Sequence, residues 1–316
     1  MNVLNLLYCF DENYNIQTTV SIDSICRCVN DVDINVYIIH RDPSSYEKYI
    51  PILQKHAHLK KIELYKFDKN IKNYPNLNNK HVSEATYYRL FISDFLPKDL
   101  SEVIYLDSDV FCINNPLENI KNTISNMKNL EMPISVSTEI LKTSEDHDLF
   151  KNLELKKDNY FNAGVMFIDY KKWQQVTSVD EFKLLINKYK DRIIFWDQDI
   201  LNKKFEDNYL ELDESLNFRK ITNNNVNEVR ESINFLHYVG NYKPWTIEGG
   251  CEEKSKIYFE SFERVFNKKY HFKIKDSRLK STLVLFKNVF SFRVLQTNYP
   301  LSYIFYSLKT IFSTKR

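Results

Sequence analysis

Two carboxylates one residue apart, Asp107-Ser108-Asp109, sit between apolar flanks, Ile104-Tyr105-Leu106 before them and Val110-Phe111 after. The run from Val103 to Leu106 has the continuity of a buried strand. The carboxylates therefore fall at or just past its carboxyl end, which is where ligands bind in an open α/β sheet. Carboxylates this close repel each other unless positive charge lies between them. A divalent cation with oxygen ligands resolves the conflict, and Mg²⁺ or Mn²⁺ held this way commonly also carries substrate phosphates. The plain alternative is a surface turn with two solvated aspartates.

Four further stretches add to the aspartate pair. Asp11-Glu12-Asn13-Tyr14 follows the first apolar run, at the position where a Rossmann-like sheet meets a nucleotide. The glycines of a dinucleotide fingerprint are absent there, so a carboxylate and an amide would read base and ribose instead. Phe161-Asn162-Ala163-Gly164 precedes an apolar strand, and Gly164 permits close backbone approach. Trp196-Asp197-Gln198-Asp199 opens a helical stretch and presents a carboxylate and an amide from its first turn. His237, at a strand end, is followed by Gly240, Lys243, Pro244 and Trp245. It offers a third metal ligand, with a glycine and a lysine suited to phosphate. Each stretch also has an ordinary reading: a polar loop, a turn before a strand, an acidic helix N-cap and a structural histidine.

Taken together and in order, Tyr105-Leu106-Asp107-Ser108-Asp109, Phe161-Asn162-Ala163-Gly164, Trp196-Asp197-Gln198-Asp199 and His237-Tyr238-Val239-Gly240-Asn241-Tyr242-Lys243-Pro244-Trp245 resemble family 8 glycosyltransferases. These retaining enzymes include glycogenin and the bacterial lipopolysaccharide galactosyl- and glucosyltransferases. The likeness runs from about Val3 to Trp245. It implies a GT-A fold, a UDP-sugar donor and Mn²⁺ (or Mg²⁺). By the resemblance, Asp107, Asp109 and His237 match the metal ligands, and Gly240 and Lys243 the diphosphate contacts. Asp11, Asn13 and Tyr14 match the uridine loop, while Ser108 goes with the donor contacts. Arg89 matches an arginine that reaches the donor; Asn162, Ala163, Gly164, Asp197 and Gln198 match donor-sugar contacts. Gln198, Asp197 and Arg89 are then the expected catalytic group, and His81 an acceptor-side residue. The family often carries an aspartate after the strand equivalent to Ile134–Ser137; here the nearest acid is Glu139.

The implied reaction moves a hexose, galactose or glucose, to a saccharide or glycolipid acceptor such as lipopolysaccharide or lipooligosaccharide. Gln198 is a poor nucleophile at the matching position, which favours front-face attack, with Asp197 and Gln198 orienting the sugar. A covalent route through Asp197 or Asp199 is the other way to retain configuration. The competing reading is a nucleotide-sugar or carbohydrate binding protein without turnover. The aspartate pair Asp107 and Asp109 with His237, and Lys243 beside them, weighs against it, because binding a sugar alone needs no metal.

The elements that must position these residues alternate. Apolar runs at Val3–Cys9, Ile34–Ile39 and Lys61–Phe67 read as strands, with helical spacing at Tyr14–Val29 and Tyr46–His58 between them. That β-α-β-α-β order implies a Rossmann-like sheet flanked by helices. A helix is expected from Ser83, its cap, through Tyr87, Leu90, Phe91 and Phe95 to Pro97. Strands follow at Pro133–Ser137, Tyr160–Asp169 and Ile233–Tyr238, and helices at Asp180–Lys190 and from Trp196 through Phe205. The fold class expected is therefore α/β, a mixed sheet of GT-A type with a basic helical tail.

The 316 residues are 43% hydrophobic and 27% charged, a globular composition, and the formal net charge is only +2. The charge is unevenly spread. From Lys268 to Arg316 there are eleven Lys/Arg and one acid, Asp276, so this tail carries +10 and the rest −8. The division expected is a catalytic domain at 1–267 and a basic, aromatic tail at 268–316. In the tail, Leu301, Ile304, Phe305, Leu308, Ile311 and Phe312 recur at helical spacing after Pro300, and Leu279, Leu283, Phe286 and Phe290 do so upstream. These stripes with flanking lysines mark an interfacial helix for an anionic membrane surface and argue against a nucleic-acid partner. Five cysteines without a framework suit reduced thiols. No signal peptide and no spanning segment is read. The expected location is cytoplasmic, peripheral on the inner face of the plasma membrane.

Overall fold

The structure, a computed structural model, describes residues 2–75, 83–139, 149–156, 159–274 and 277–313. Its strands are β1 (Val3–Phe10), β2 (Asp33–His40), β3 (Leu59–Lys66), β4 (Glu102–Leu106), β5 (Val110–Cys112), β6 (Ile134–Thr138), β7 (Phe161–Asp169), β8 (Leu210–Glu211) and β9 (Phe235–His237). Seven of them form one sheet in the order β3-β2-β1-β4-β7-β6-β8, and β5 and β9 pair separately. β1 lies parallel to both β2 and β4. β7 runs antiparallel between β4 and β6, and β8 returns parallel to β6. The strand order therefore runs outward in both directions from the β1/β4 pair. The crevice at the carboxyl ends of those two strands is where such a sheet binds ligands.

Side-chain alternation divides the core. Leu7, Cys9, Tyr37, Ile39, Val103 and Tyr105 face one layer with Trp173 and Tyr160. Leu6, Tyr8, Phe10, Val36, Ile38, Ile104 and Leu106 face the other, with Ile22 and Ile25 of the helix Asn15–Cys28. The period of two along a strand sends neighbours to opposite faces, and both faces here are covered, so the strands read as continuous apolar runs.

Two expected helices take other forms. The stretch Tyr46–His58 is broken into single turns, Ser44–Glu47 and Ile50–Leu53. Pro51 lies in the first turn of the second, where it has no N–H to continue a preceding helix. The segment Glu84–Asp94 is wound as 3₁₀ turns, although Ser83 caps it as expected by accepting the Ala85 N–H. Buried side chains surround it on every side, Tyr87 through Ile92, so its apolar spacing does not select the α-helical period.

The helix Lys256–Phe266 ends at Asn267, whose φ is +52° in the left-handed region. Beyond it, helices Arg278–Phe290 and Pro300–Phe312, with the turn Arg293–Gln296 between them, bury Leu285, Val294, Tyr303 and Ile311 in a third core with Trp245, Tyr258 and Phe259. The opposite side of these helices is uncovered: Leu279, Leu283, Phe286, Phe290, Leu301, Phe305, Leu308 and Phe312 are exposed. Ile311 departs from the expected outward stripe because it faces the third core, and Ile304 packs against its edge. Among the described residues no helix is long and apolar enough to cross a membrane.

Candidate active site

β4 delivers Asp107, whose backbone N–H is fixed 2.8 Å from the Gly164 carbonyl at the start of β7. The short ladder of β5 on β9 pairs Val110 with His237 and so brings the histidine beside Asp109. One ligand atom each from Asp107, Asp109 and His237 lies within 4.8 Å of the others. His237 Nε2 stands 3.2 Å from Asp109 Oδ1, a buried oxygen to which no donor is hydrogen-bonded in the described structure. Lys243 Nζ pairs with Asp109 Oδ2. Burial alone would raise the Asp109 carboxyl, but Lys243 and His237 outweigh it and hold the group well below the usual carboxylate range. Gly164 backs the cluster. A Cβ there would lie 2.3 Å from His237 Cε1 and 2.7 Å from Asp107 Oδ2. Two carboxylates and an imidazole around an oxygen without a donor fit a divalent cation.

Arg89 joins this cluster to a second group. Its guanidinium is buried and lies 3.4 Å from Asp107 Oδ1 and 2.7 Å from Asp197 Oδ2. It donates to the Ala163 carbonyl at 2.5 Å and stacks over the Tyr105 ring, 4.4 Å from its centroid. The Tyr105 hydroxyl in turn donates to Asp107 Oδ1 at 2.5 Å. Asp197 and Gln198 come from the first turn of the helix Trp196–Lys204, which Trp196 enters with a φ of +50°, unusual for a bulky residue. Gln198 Oε1 accepts the Ala163 N–H at 3.0 Å. Burial raises the Asp197 carboxyl, Arg89 opposes and Asp107 adds to the rise, and the group settles at about 7. Asp199 is committed elsewhere. It accepts from the Tyr160 hydroxyl at 2.5 Å and from the N–H groups of Ile194 and Phe195, which makes it the brace of that loop.

An open cleft of about 530 Å³ lies at the carboxyl ends of β1 and β4, lined by Cys9 and Phe10 of β1 with Tyr14 beyond it, by Tyr105 of β4 with Asp107 and Asp109 beyond it, and by Arg89. Asp11 accepts the Asn13 N–H at 2.9 Å and pairs with the Ser83 hydroxyl. Ser108 is bonded to Thr18 of the long helix at 2.7 Å. Asn162 Oδ1 accepts the Gly164 N–H, and its Nδ2 donates to Glu139 at 3.0 Å. The Asn13 side chain and Gly240 stand apart on the exposed rim, Gly240 with a φ of +79° that only glycine adopts readily. His81 lies outside the described residues. Sequence reasoning missed Tyr105 as a partner of Asp107. It also missed Arg219, which pairs with Glu139 at 2.8 Å, and Lys273, which lies 5.1 Å from the centroid of the Tyr14 ring. Tyr105 stands two residues from Asp107, so strand alternation could have paired them; Arg219 and Lys273 carry no local motif, and only the fold puts them there.

The family model described as Glycosyl transferase family 8 matches residues 5–249. The chain belongs to glycosyltransferase family 8. Among relatives, general stress protein A of Bacillus subtilis is 25% identical over 58% of this chain and 66% of its own length, just under two thirds. A lipopolysaccharide 1,3-galactosyltransferase of Salmonella typhimurium is 27% identical over 76% of this chain and 72% of its own. A lipopolysaccharide 1,2-glucosyltransferase of Escherichia coli is 28% identical over 77% and 72%. The crystal structure of the galactosyltransferase LgtC with donor and acceptor sugar analogues superposes with a TM-score of 0.68 at 21% identity, covering 83% of this chain and 96% of that one. The fold of this family 8 member is thus the GT-A type, as the resemblance implied.

Proposed function

We propose that this family 8 member transfers galactose or glucose from a UDP-sugar to a saccharide acceptor, with retention at the anomeric carbon. The acceptor is a cell-surface glycan of the lipopolysaccharide or lipooligosaccharide class, in keeping with the relatives' activities. The observation that carries the reading is the junction made by Arg89, which ties Asp107 of the cation cluster to Asp197 of the sugar-facing helix. A protein that only binds sugars has no need of either half.

Asp107, Asp109 and His237 would hold the cation, with Mn²⁺ preferred, and when bound it would supply the positive charge that a departing diphosphate requires. Lys243 and the Gly240 N–H bind the same diphosphate. Asp11, Asn13 and Tyr14 take the uridine, with Ser108 beside the donor. Asn162, Ala163 and Gly164 border the hexose. Asp197 and Gln198 hold its hydroxyls, and Arg89 keeps Asp197 in place. Both oxygens of Asp199 are engaged by hydrogen bonds that brace its loop, which counts against Asp199 as a covalent nucleophile. The exposed apolar faces of helices Arg278–Phe290 and Pro300–Phe312, in a tail of net +10, support docking on an anionic membrane at its cytoplasmic side.

Incubation with labelled UDP-glucose and UDP-galactose, with and without Mn²⁺, tests the reading. Metal-dependent turnover of one donor is expected, with Asp109→Asn slower on the order of 10²-fold or more. An α-linked product from the α-linked donor is expected by NMR. Turnover in EDTA, or a β-linked product, overturns the metal or the retaining assignment.

A further inference from the structure

We infer that Asn217 is a positioning residue that fixes the proton of His237 on Nδ1 and so keeps Nε2 as the ring's only metal-binding atom. The inference rests on the proposed cation site and deepens it. Asn217 is buried, 2% exposed, and closes the turn Glu214–Leu216, next to Phe218, which bridges to Leu236 of β9. Its Oδ1 lies 2.9 Å from His237 Nδ1, and its Nδ2 lies 3.3 Å from Asn162 Oδ1.

The orientations of the Asn162 and Asn217 amides follow from two groups that cannot be turned round. The Gly164 backbone N–H can only donate, and it faces Asn162 Oδ1 at 3.0 Å. The Glu139 carboxylate accepts, and it faces Asn162 Nδ2 at 3.0 Å, while the Arg219 guanidinium holds it at 2.8 Å. Asn162 is therefore oriented with its oxygen toward Gly164 and Asn217. An oxygen there requires Asn217 to present its NH₂ to Asn162 and its oxygen to His237. An oxygen accepts only, so Nδ1 must carry the hydrogen. This holds whether the ring is neutral or charged. In the neutral ring, Nε2 then bears a lone pair and points at Asp109 Oδ1, 3.2 Å away. Two lone pairs facing each other at that distance leave a place for a cation, and a second hydrogen bond on the far nitrogen is how histidine ligands are commonly oriented.

The experiment uses the full chain. Long-range ¹⁵N–¹H NMR of the metal-free protein, at a pH where the ring is neutral, reads the His237 tautomer, assigned by its loss in His237→Gln. The Nδ1-protonated form is expected; an Nε2-protonated ring overturns the inference whatever the metal does. In parallel, Mn²⁺ is titrated into each protein with UDP present, free Mn²⁺ being followed by EPR. Asn217→Leu removes the acceptor and is expected to bind Mn²⁺ roughly 10–100-fold more weakly. Asn217→Asp keeps an acceptor toward Nδ1 and is expected to stay nearer the wild type. Equal affinity in Asn217→Leu, with the tautomer unchanged, sinks the inference. A wild-type protein that shows the Nδ1-protonated ring but binds no Mn²⁺ leaves the inference standing and removes the cation site instead. If Asn217→Leu does not fold, the wild-type spectrum still decides.

Discussion

The hydrogen atom that serves Gly164 as a side chain is what lets Asp107 and His237 close on one point. Gly164→Ala sets a methyl 2.3 Å from His237 Cε1 and 2.7 Å from Asp107 Oδ2, so one of the two must move. Neither is the end of a long flexible chain. We expect the variant to lose on the order of 10²-fold in metal-dependent turnover, as misplacement by an ångström does elsewhere, and about 1–3 kcal/mol of stability from overpacking. Initial rates across an Mn²⁺ series and thermal melts check it; a variant with wild-type metal dependence would show that the cluster is not the cation site. At this scale the sequence was informative where the chemistry is local. Asp107 and Asp109 are separated by a single residue, and their apolar flank alone puts them at a strand end. Gly164 was singled out by its place before an apolar strand, and Arg89 through the family resemblance. Asn217 carries no sign of its own, because its role depends on Asn162 and His237, each far from it in sequence.

Elements show the same division. Strands β1, β2, β4 and β7 were legible because both faces are buried and the apolar run is unbroken. The Glu84–Asp94 segment was found but not its winding, since a run buried on all sides has no amphipathic period to read. β9 was read within the stretch Ile233–Tyr238, but its partner β5 escaped because a strand of three residues leaves too short a pattern. The segment after Asn267 is seated by His271, which bonds the Tyr258 hydroxyl at 2.5 Å and packs 4.7 Å from the Phe262 ring centroid. Burial, with Lys273 adding, pushes His271 down to about 3. Its ordinary value is about 6.5, so between the two the unfolded chain takes up a proton that the folded one refuses. This histidine therefore contributes a loss of stability as pH falls from about 6.5 toward 3, with an upper bound of about 1.4 kcal/mol per pH unit. His271→Phe should flatten that slope. Melting temperatures of both proteins from pH 7 to pH 4 test it, and parallel curves would mean the imidazole does not titrate with unfolding.

Across the whole molecule, the two terminal helices have two unlike faces. One is committed: Tyr303 and Asn288 bond to each other at 3.1 Å and both reach the Ile247 carbonyl, beside the loop that carries Lys243. Removing the tail would uncover Trp245 and Tyr258, so deletion cannot separate anchoring from folding. The other face can be altered alone. Phe286, Phe290, Phe305 and Phe312 are exposed, and Lys287 and Lys309 lie on the same helices. A contiguous apolar surface of this kind on a monomer marks a site of contact. Each basic residue close to an anionic surface adds about 1 kcal/mol of attraction that salt screens. The charge variant Phe286→Glu, Phe290→Glu, Phe305→Glu and Phe312→Glu should keep the wild-type melting temperature and hydrolyse soluble donor at a similar rate. It should no longer sediment with vesicles containing phosphatidylserine, whereas the wild type should do so at low salt and less at high salt. If the wild type ignores the vesicles but self-associates, and the variant does not, the face is a contact between copies of the chain and the membrane assignment fails.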